Sequence, residues 1–305
     1  MSGSLVLCKA CGQKSFERYS VKEMMFGTVL AYPYGCCLGC GSLQLLELPA
    51  DMAIHYPPDY YSMEPLKLKA PSAFKGRAQR LALAWLKAAS QGPDARILDV
   101  GSGSGAFLGR LYQSGFKDLT GIDPHLTQDI QYAPGFKVCC QSLEELRGTY
   151  DFISIQHTLE HVLDPLQALR DCRRLLAPGG TLLIRIPVMG KRAWQIYGAD
   201  WIQIDAPRHL FVPSEAGLGL LAEKAGLSVE RTVFDSHAGQ FWGSEQHRRG
   251  IALWDPDSYA VNRRASVFSW ATIMGYRLRS KWLNWRGLGD QACFYLRPKQ
   301  VESGS

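Results

Sequence analysis

The chain has 305 residues, 46% hydrophobic and 20% charged, which suits one large globular domain plus a small one and excludes a fibrous or disordered chain. No apolar run reaches the roughly 18 residues a membrane-crossing helix needs, and no basic segment followed by an apolar one opens the chain as in a secretory leader. Nine cysteines, an odd number, argue against a disulfide scaffold and for a reducing, cytoplasmic compartment, while the net charge of +6 is mild enough that its distribution matters more than its size.

Residues 1–48 read as a unit of their own. Cys8-Lys-Ala-Cys11 and Cys37-Leu-Gly-Cys40 are two C-x2-C knuckles, each followed by a glycine. Two such pairs can set four thiolates at the corners of a tetrahedron, the arrangement Zn²⁺ prefers. Cys8, Cys11, Cys37 and Cys40 are therefore the expected ligands of a structural Zn²⁺ in a small zinc ribbon, with Cys36 a rival whose spacing to Cys40 is wrong. The stretch from Phe16 to Tyr34 supplies the β-type residues of that ribbon. A closed four-cysteine site leaves no open position for chemistry, so this unit is expected to fix a lid or a partner surface. Residues 49–74 read as a linker, because Tyr56-Pro-Pro-Asp-Tyr-Tyr61, Pro65 and Pro71 interrupt regular structure. Its tyrosines are expected to pack the ribbon onto the main domain rather than to line a substrate mouth.

The main domain, residues 75–305, is expected to begin with an amphipathic helix. Leu81, Leu83, Trp85 and Leu86 mark its apolar face, and it leads into Arg96-Ile-Leu-Asp-Val-Gly-Ser-Gly-Ser-Gly-Ala-Phe-Leu108. Strand residues run into Gly101, Gly103 and Gly105, and a helical pattern follows. This is the strand, glycine turn and helix that open a doubly wound sheet. The glycines allow backbone angles that a Cβ forbids and let a ligand approach the main chain. Gly101-x-Gly103-x-x-Ala106 also fits a dinucleotide fingerprint, so the glycines alone are weak evidence. Asp99, inside the strand, suits a cationic ligand better than a pyrophosphate. A second acid, Asp123, ends the next strand, where a carboxylate can hold a ribose diol.

A third short strand is expected near Phe136–Cys140. Tyr150-Asp-Phe-Ile-Ser-Ile-Gln156 is a fourth, nearly continuous and apolar as a buried parallel strand should be. It delivers His157-Thr-Leu-Glu-His161 to the sheet edge where ligands bind in open α/β sheets. On a helix, His157, Glu160 and His161 would share one face. Asp164-Pro165 opens a helix, Pro178-Gly-Gly180 stops it, and Thr181–Ile186 forms a fifth strand. The excursion over 187–213 is long enough to be functional. A helix from Pro213 to Gly226 and a strand over Leu227–Phe234 follow. Residues 236–290 read as a second insertion, basic and rich in aromatics, with His237 a possible substrate contact. A helix around Val267–Trp285 is expected to cap the site with its aromatics buried, and peripheral contact with an anionic membrane or a grip on a phosphorylated substrate are the alternatives.

Asp99-Val-Gly-Ser-Gly-Ser-Gly105, Gly121-Ile-Asp123 and Leu175-Leu-Ala-Pro-Gly-Gly-Thr-Leu-Leu-Ile184 together resemble a class I S-adenosylmethionine-dependent methyltransferase over about residues 75–235. The resemblance implies an α/β, doubly wound, Rossmann-like sheet of seven strands, the last antiparallel and formed by Gln291–Arg297. It implies S-adenosyl-L-methionine as cofactor, held by Asp99, Gly101, Ser102, Gly103, Gly105, Phe107, Asp123, Pro124, Gln141, Ser142, Leu143, Gln156 and His157. The segment His157–His161 resembles the E-x-x-E-H of quinone O-methyltransferases and small-RNA 2′-O-methyltransferases, where that face holds a divalent metal; here His157 replaces the first acid. A metal that positions a hydroxyl, a metal-free histidine base and a merely structural turn all remain open. Asp205-x-Pro-x-His209 resembles a segment of methyltransferases in bacterial glycan and natural-product pathways. His157, Glu160, His161 and His209 are thus the expected catalytic residues, and a sugar or a nucleotide- or lipid-linked saccharide the expected acceptor. Methylation of RNA or protein through the ribbon and the basic tail is a second expectation, with nucleic acid the less expected partner, and a non-catalytic scaffold is a third.

Overall fold

The computed structural model describes residues 6–28, 30–56, 65–68, 77–264 and 266–299, with the backbone alone over 77–82. Tyr60, Tyr61, Pro71 and the Leu81 side chain lie outside the described residues. In chain order the elements are β1 (Phe16–Lys22), β2 (Ala31–Cys37), β3 (Leu43–Leu45), α1 (Arg77–Ala88), β4 (Arg96–Val100), α2 (Ala106–Tyr112), β5 (Asp118–Ile122), β6 (Ile130–Ala133) and β7 (Phe136–Cys139). Then come β8 (Tyr150–Gln156), α3 (Pro165–Leu175), β9 (Leu176–Pro187), α4 (Arg192–Tyr197), β10 (Phe211–Val212), α5 (Glu215–Lys224), β11 (Leu227–Phe234), α6 (Gly239–Arg248), α7 (Trp270–Trp285) and β12 (Gln291–Pro298).

The main sheet has eight strands in the order β11-β12-β9-β8-β4-β5-β7-β6. The seven expected strands are present, and β12 runs antiparallel between β9 and β11. The eighth, β6, pairs antiparallel with β7 at the far edge. Its four residues, Ile-Gln-Tyr-Ala, are half-buried or exposed and carry no run of alternation that would announce a strand. The central strands are apolar on both faces because helices cover both: Ile97, Leu98, Phe152, Ile153, Leu182, Leu183 and Ile184 are fully buried. Each such side chain contributes about 1.5–3 kcal/mol on burial.

Caps fix where helices start. Asp164 accepts from the Gln167 amide at 2.9 Å ahead of Pro165, and Ser214 accepts from the Gly217 amide at 2.9 Å. Pro178 and Gly179 do not end α3, which stops at Leu175; they lie inside β9. Gly101, Gly103 and Gly105 have φ of 68°, 52° and 87°, a region costly for residues with a Cβ.

The N-terminal unit does not close on itself at residue 48. Its sheet has the order β1-β2-β3-β10, and its fourth strand comes from Phe211–Val212, at the end of the 187–213 excursion. That excursion contains α4, two short 3-10 turns and β10 rather than open loop. Two knuckles bring the sulfurs of Cys8, Cys11, Cys37 and Cys40 together, all within 4.8 Å of one another. Cys8 and Cys40 stand 3.5 Å apart, and Cys11 and Cys37 3.4 Å. A zinc tetrahedron with ordinary Zn–S bonds has sulfur edges of about 3.8 Å. Cys36 is outside the group and points its sulfur toward the Gly41 carbonyl.

Candidate functional site

A cleft of about 660 Å³ opens at the carboxyl ends of β4, β5, β7 and β8. It is lined by Gly101, Ser102, Gly103, Asp123, Pro124, Gln141, Ser142, Leu143, Gln156 and His157, and also by His125, Thr158 and His161. The turn is cut to leave main chain bare. A Cβ on Gly101 would stand 2.3 Å from the Thr158 hydroxyl, whereas one on Gly103 would meet nothing within 4 Å and project into open space. The Asp123 carboxylate accepts from the Gly103 amide at 2.9 Å and the His125 amide at 3.0 Å, which fixes it at the cleft edge.

Three expected cofactor residues do not line this cleft. Phe107 is buried and packs on Trp85, ring centroids 5.9 Å apart. Gly105 starts α2, and a Cβ there would strike Val138 at 2.8 Å. Asp99 lies beneath the turn and accepts from the Ser154 hydroxyl. Burial pushes its carboxyl up to about 7, against the lowering effect of that hydrogen bond. The unfolded chain loses this proton near 4 while the folded chain holds it to about 7, so the group removes stability as pH rises through that window. Asn at position 99 can still accept from Ser154 and has no proton to lose. Asp99→Asn is therefore expected to flatten the fall in stability between pH 5 and pH 8, by about 3 kcal/mol at most; melting curves across that range check it.

Beside the cleft, histidines and carboxylates converge. His157 does not begin a helix: its φ is 50°, and only Leu159–His161 form a short 3-10 turn. The Arg185 guanidinium donates to His157 Nε2 at 2.7 Å, so His157 Nδ1 carries the proton and donates to Glu160 Oε1 at 3.2 Å. Arg185 is held in turn by Asp235 at 2.6 Å. Both nitrogens of His157 are thus engaged, and it is no free base. Glu160 is fully buried; burial raises its carboxyl, but His157 and the neighbouring imidazoles outweigh this and hold it down at about 2. Its Oε2 has no partner among the described residues.

His161 donates from Nδ1 to the Arg208 carbonyl at 3.0 Å, and His209 from Nδ1 to the Gln203 carbonyl at 2.8 Å. Each therefore presents a lone pair on Nε2. That of His209 lies 4.0 Å from Glu160 Oε1, and the two rings meet edge-on at 4.7 Å. Burial and the nearby His209 push His161 down to about 4, so it is neutral at ordinary pH. The converging donors are Glu160, His161 and His209, all within 4.8 Å of one another. The shared face expected for His157, Glu160 and His161 is replaced by this one, because the bend at His157 turns its ring toward Arg185.

A second cavity of about 350 Å³ adjoins, and His157 lines both. Met24 and Met25 from the N-terminal unit, Asp205 and His209 from the excursion, and His237, Gln240, Trp242 and His247 around α6 form its walls. His247 Nε2 and Gln240 Oε1 are buried without a partner among the described residues. Like His157, Asp205 sits at positive φ, 40°, a conformation that persists where surrounding structure holds it and that clusters at functional sites. The holding structure is explicit. Fully buried Arg208 grips Asp205 at 2.7 Å and Glu23 of the N-terminal unit at 2.7 Å, and Glu23 caps the amides of Met25, Phe26 and Thr28.

The sequence pattern did not single out Arg185, Met24, Met25 or Trp242. Arg185 left one signal, a lone charge inside the apolar run Leu182-Leu-Ile-Arg-Ile186. The others come from turns and helices whose approach only the tertiary fold decides.

A family model described as a methyltransferase domain matches residues 74–232. A ubiquinone biosynthesis O-methyltransferase of Pseudomonas aeruginosa strain UCBPP-PA14 is 31% identical over 157 residues, covering 45% of this chain and 66% of that protein. One of the same name from Xanthomonas campestris pv. campestris strain B100 is 36% identical over 125 residues, covering 36% of this chain and 51% of its own length. This chain thus spans just under two thirds of the first of these relatives and about half of the second. Among solved structures, 1,6-didemethyltoxoflavin-N1-methyltransferase of Burkholderia thailandensis aligns over 73% of this chain and 79% of its own, at 16% identity and a TM-score of 0.43.

Proposed function

The chain belongs to the methyltransferase-domain family through residues 74–232, and from that membership we propose that it transfers a methyl group from S-adenosylmethionine to a hydroxyl of a small-molecule acceptor. One observation carries the reading: His157 lines both the glycine-floored cleft and the smaller cavity, so a donor in one and an acceptor in the other would meet beside Glu160 and His209. S-adenosylmethionine, when bound, supplies a methyl already activated on a sulfonium. The chain's own task is then alignment and, for a hydroxyl, removal of its proton. Gly101 and Gly103 bring bare main chain to the cleft floor, and Asp123 offers its carboxylate where a ribose diol would lie. His157, locked between Arg185 and Glu160, forms the wall between the two cavities. His209 Nε2 is the atom placed to take the acceptor's proton.

Glu160, His161 and His209 also fit a divalent cation. The carboxylate has an oxygen with no partner among the described residues, and each imidazole has its other nitrogen tied to a carbonyl, the usual support of a metal-ligating histidine. These three residues would hold the ion, which would supply a lowered pKa for the acceptor hydroxyl. Cys8, Cys11, Cys37 and Cys40 are proposed to hold a structural Zn²⁺. Metal content separates the two sites. The purified protein is expected to keep one zinc per chain through mild chelation and to lose it in Cys8→Ser. A second, exchangeable ion is expected to leave on chelation and to be missing in Glu160→Gln. Full turnover in a chelated protein that holds only the cysteine-bound zinc would favour His209 as a metal-free base.

The acceptor is proposed to be a saccharide, free or linked to a nucleotide or lipid. The flat Trp242 ring and the buried polar atoms of His247 and Gln240 that lack a partner among the described residues suit a ring with an apolar face and several hydroxyls. A phenolic acceptor is the second reading, favoured by the likeness to the quinone-pathway enzymes. Methyl-labelled S-adenosylmethionine offered with nucleotide-linked sugars and with catechols tests both. Label on the sugars is expected, label confined to catechols supports the second reading, and no label on any acceptor favours a non-catalytic scaffold.

A further inference from the structure

Helix α7 carries large apolar residues on its outward side as well as on the side packed against the domain. Ile273, Ser280 and Leu283 are buried against the domain, and Tyr276 stacks on Phe241 with centroids 5.4 Å apart. At about 100° per residue, these positions mark one side of the helix. The opposite side carries Ala271, Met274, Leu278, Trp282 and Trp285. Leu278 is 63% exposed, Trp282 52% and Trp285 78%. Trp270, at the helix start, is 78% exposed as well, and Val267 just before it 52%. The expectation that the aromatics of this segment are buried thus holds for Phe268, and Tyr276 is half-buried, but the tryptophans face solvent.

Charge frames this stripe. On the helical wheel Arg277 and Lys281 fall along one border and Arg286 along the other, while Arg279 reaches back over the buried Phe241 ring at 4.6 Å. Between Asp257 and Asp290 the chain has six Arg or Lys and no acid. None of those six forms an ion pair among the described residues. Arg286 lies over the Trp282 ring at 5.6 Å.

We propose that this face of α7 docks peripherally on an anionic lipid bilayer. An apolar stripe bearing tryptophans and flanked by cations is the pattern of a helix lying in the membrane interface, with the rings at headgroup depth and the cations on lipid phosphates. No helix among the described residues is long and apolar enough to cross a membrane, so the contact is at the surface. A second copy of the chain is the poorer occupant: a two-fold pairing of this face sets cations against cations with no acid on the patch to answer them. Docking also has a destination. Ser280 on the inner side of α7 accepts from Gln240 at 3.0 Å, and Gln240 lines the smaller cavity, so a docked helix would place that cavity next to the lipid surface.

The test uses the full chain and needs no acceptor or cofactor, so it stands or falls apart from the methyl-transfer reading. Vesicles of phosphatidylcholine alone and vesicles containing phosphatidylglycerol are each sedimented with the protein at low and high salt. Binding is expected to the anionic vesicles, weakened by salt, with a blue shift of tryptophan emission. Trp282→Ser with Trp285→Ser, and separately Arg277→Glu with Lys281→Glu, are each expected to reduce the bound fraction at least about tenfold. These side chains are exposed, so unchanged melting curves would show that the fold is kept. No excess sedimentation of the unaltered protein with anionic vesicles would overturn the proposal. So would a solution dimer that the two serine substitutions dissociate, or retention on an acidic protein surface without any on lipid.

Discussion

Glu160→Gln is expected to lower kcat by on the order of 10²- to 10⁴-fold, the range over which a positioned acid–base group acts, with little change in the affinity for S-adenosylhomocysteine. Glutamine keeps the shape and can still accept from His157, but it removes the negative charge between three imidazoles. That charge orients His157 and fixes the proton distribution on which the free Nε2 of His209 depends. It would also be the one charged ligand of a cation at this place. His209→Ala should produce a loss of the same order, whereas His157→Asn should cost less, because neither nitrogen of His157 is available to the acceptor. Steady-state rates with a fixed acceptor, read beside calorimetric binding, separate chemistry from binding. A Glu160→Gln protein with near-normal kcat would remove this cluster from the mechanism.

Arg208→Met is expected to destabilise the protein by about 3–5 kcal/mol, because it leaves two buried carboxylates without their cation. Glu23 and Asp205 both approach the guanidinium at 2.7 Å, and Arg208 and Glu23 are wholly buried. Burial alone would raise both carboxyls. Arg208 with backbone amides at Glu23, and His209 followed by Arg208 at Asp205, overcome it and hold both below the ordinary carboxylate range. Their contribution is therefore present above a pH of about 4, the unfolded-chain pKa, and is lost as pH falls below it. The variant should melt well below the unaltered protein at pH 7, with the gap narrowing in acid. Replacing Glu23 and Asp205 by their amides in the same variant should recover part of the loss. Activity should fall further than stability explains, since the clamp positions Asp205 at its positive φ and His209 one residue beyond itself. An unchanged Tm in Arg208→Met would show that the clamp contributes nothing.

The same residue explains how much of the site was legible in the sequence. The glycine turn, Asp123 and the apolar run Tyr150–Gln156 could be read because each is local: a spacing, a strand end, a stretch of apolar residues. His209 could be singled out from the Asp205-x-Pro-x-His209 segment, but its relation to Glu160 depends on Arg208 reaching across to Glu23, 185 positions earlier. No periodicity carries that information. β10 escaped for a similar reason. Two residues pair with Leu43 and Gln44 only because the excursion folds back onto the N-terminal unit, so a boundary drawn at residue 48 divides one sheet. Resemblance alone places Phe107 at the cofactor, while its position on the inner face of α2 turns it to Trp85. For α7, amphipathicity identified the helix but not its orientation. Both of its sides carry large apolar residues, and only packing shows that Ile273 and Leu283 face in while Leu278 and Trp285 face out.

Everything proposed for the two cavities depends on what the larger one holds. Isothermal titration of the purified protein with S-adenosylhomocysteine, and in parallel with a nicotinamide dinucleotide, tests that dependence directly. The expected result is one S-adenosylhomocysteine per chain, binding abolished by Gly103→Leu, which adds a side chain at a glycine lining the cleft, and no heat with the dinucleotide. Silence with S-adenosylhomocysteine together with saturable binding of the dinucleotide would contradict the account.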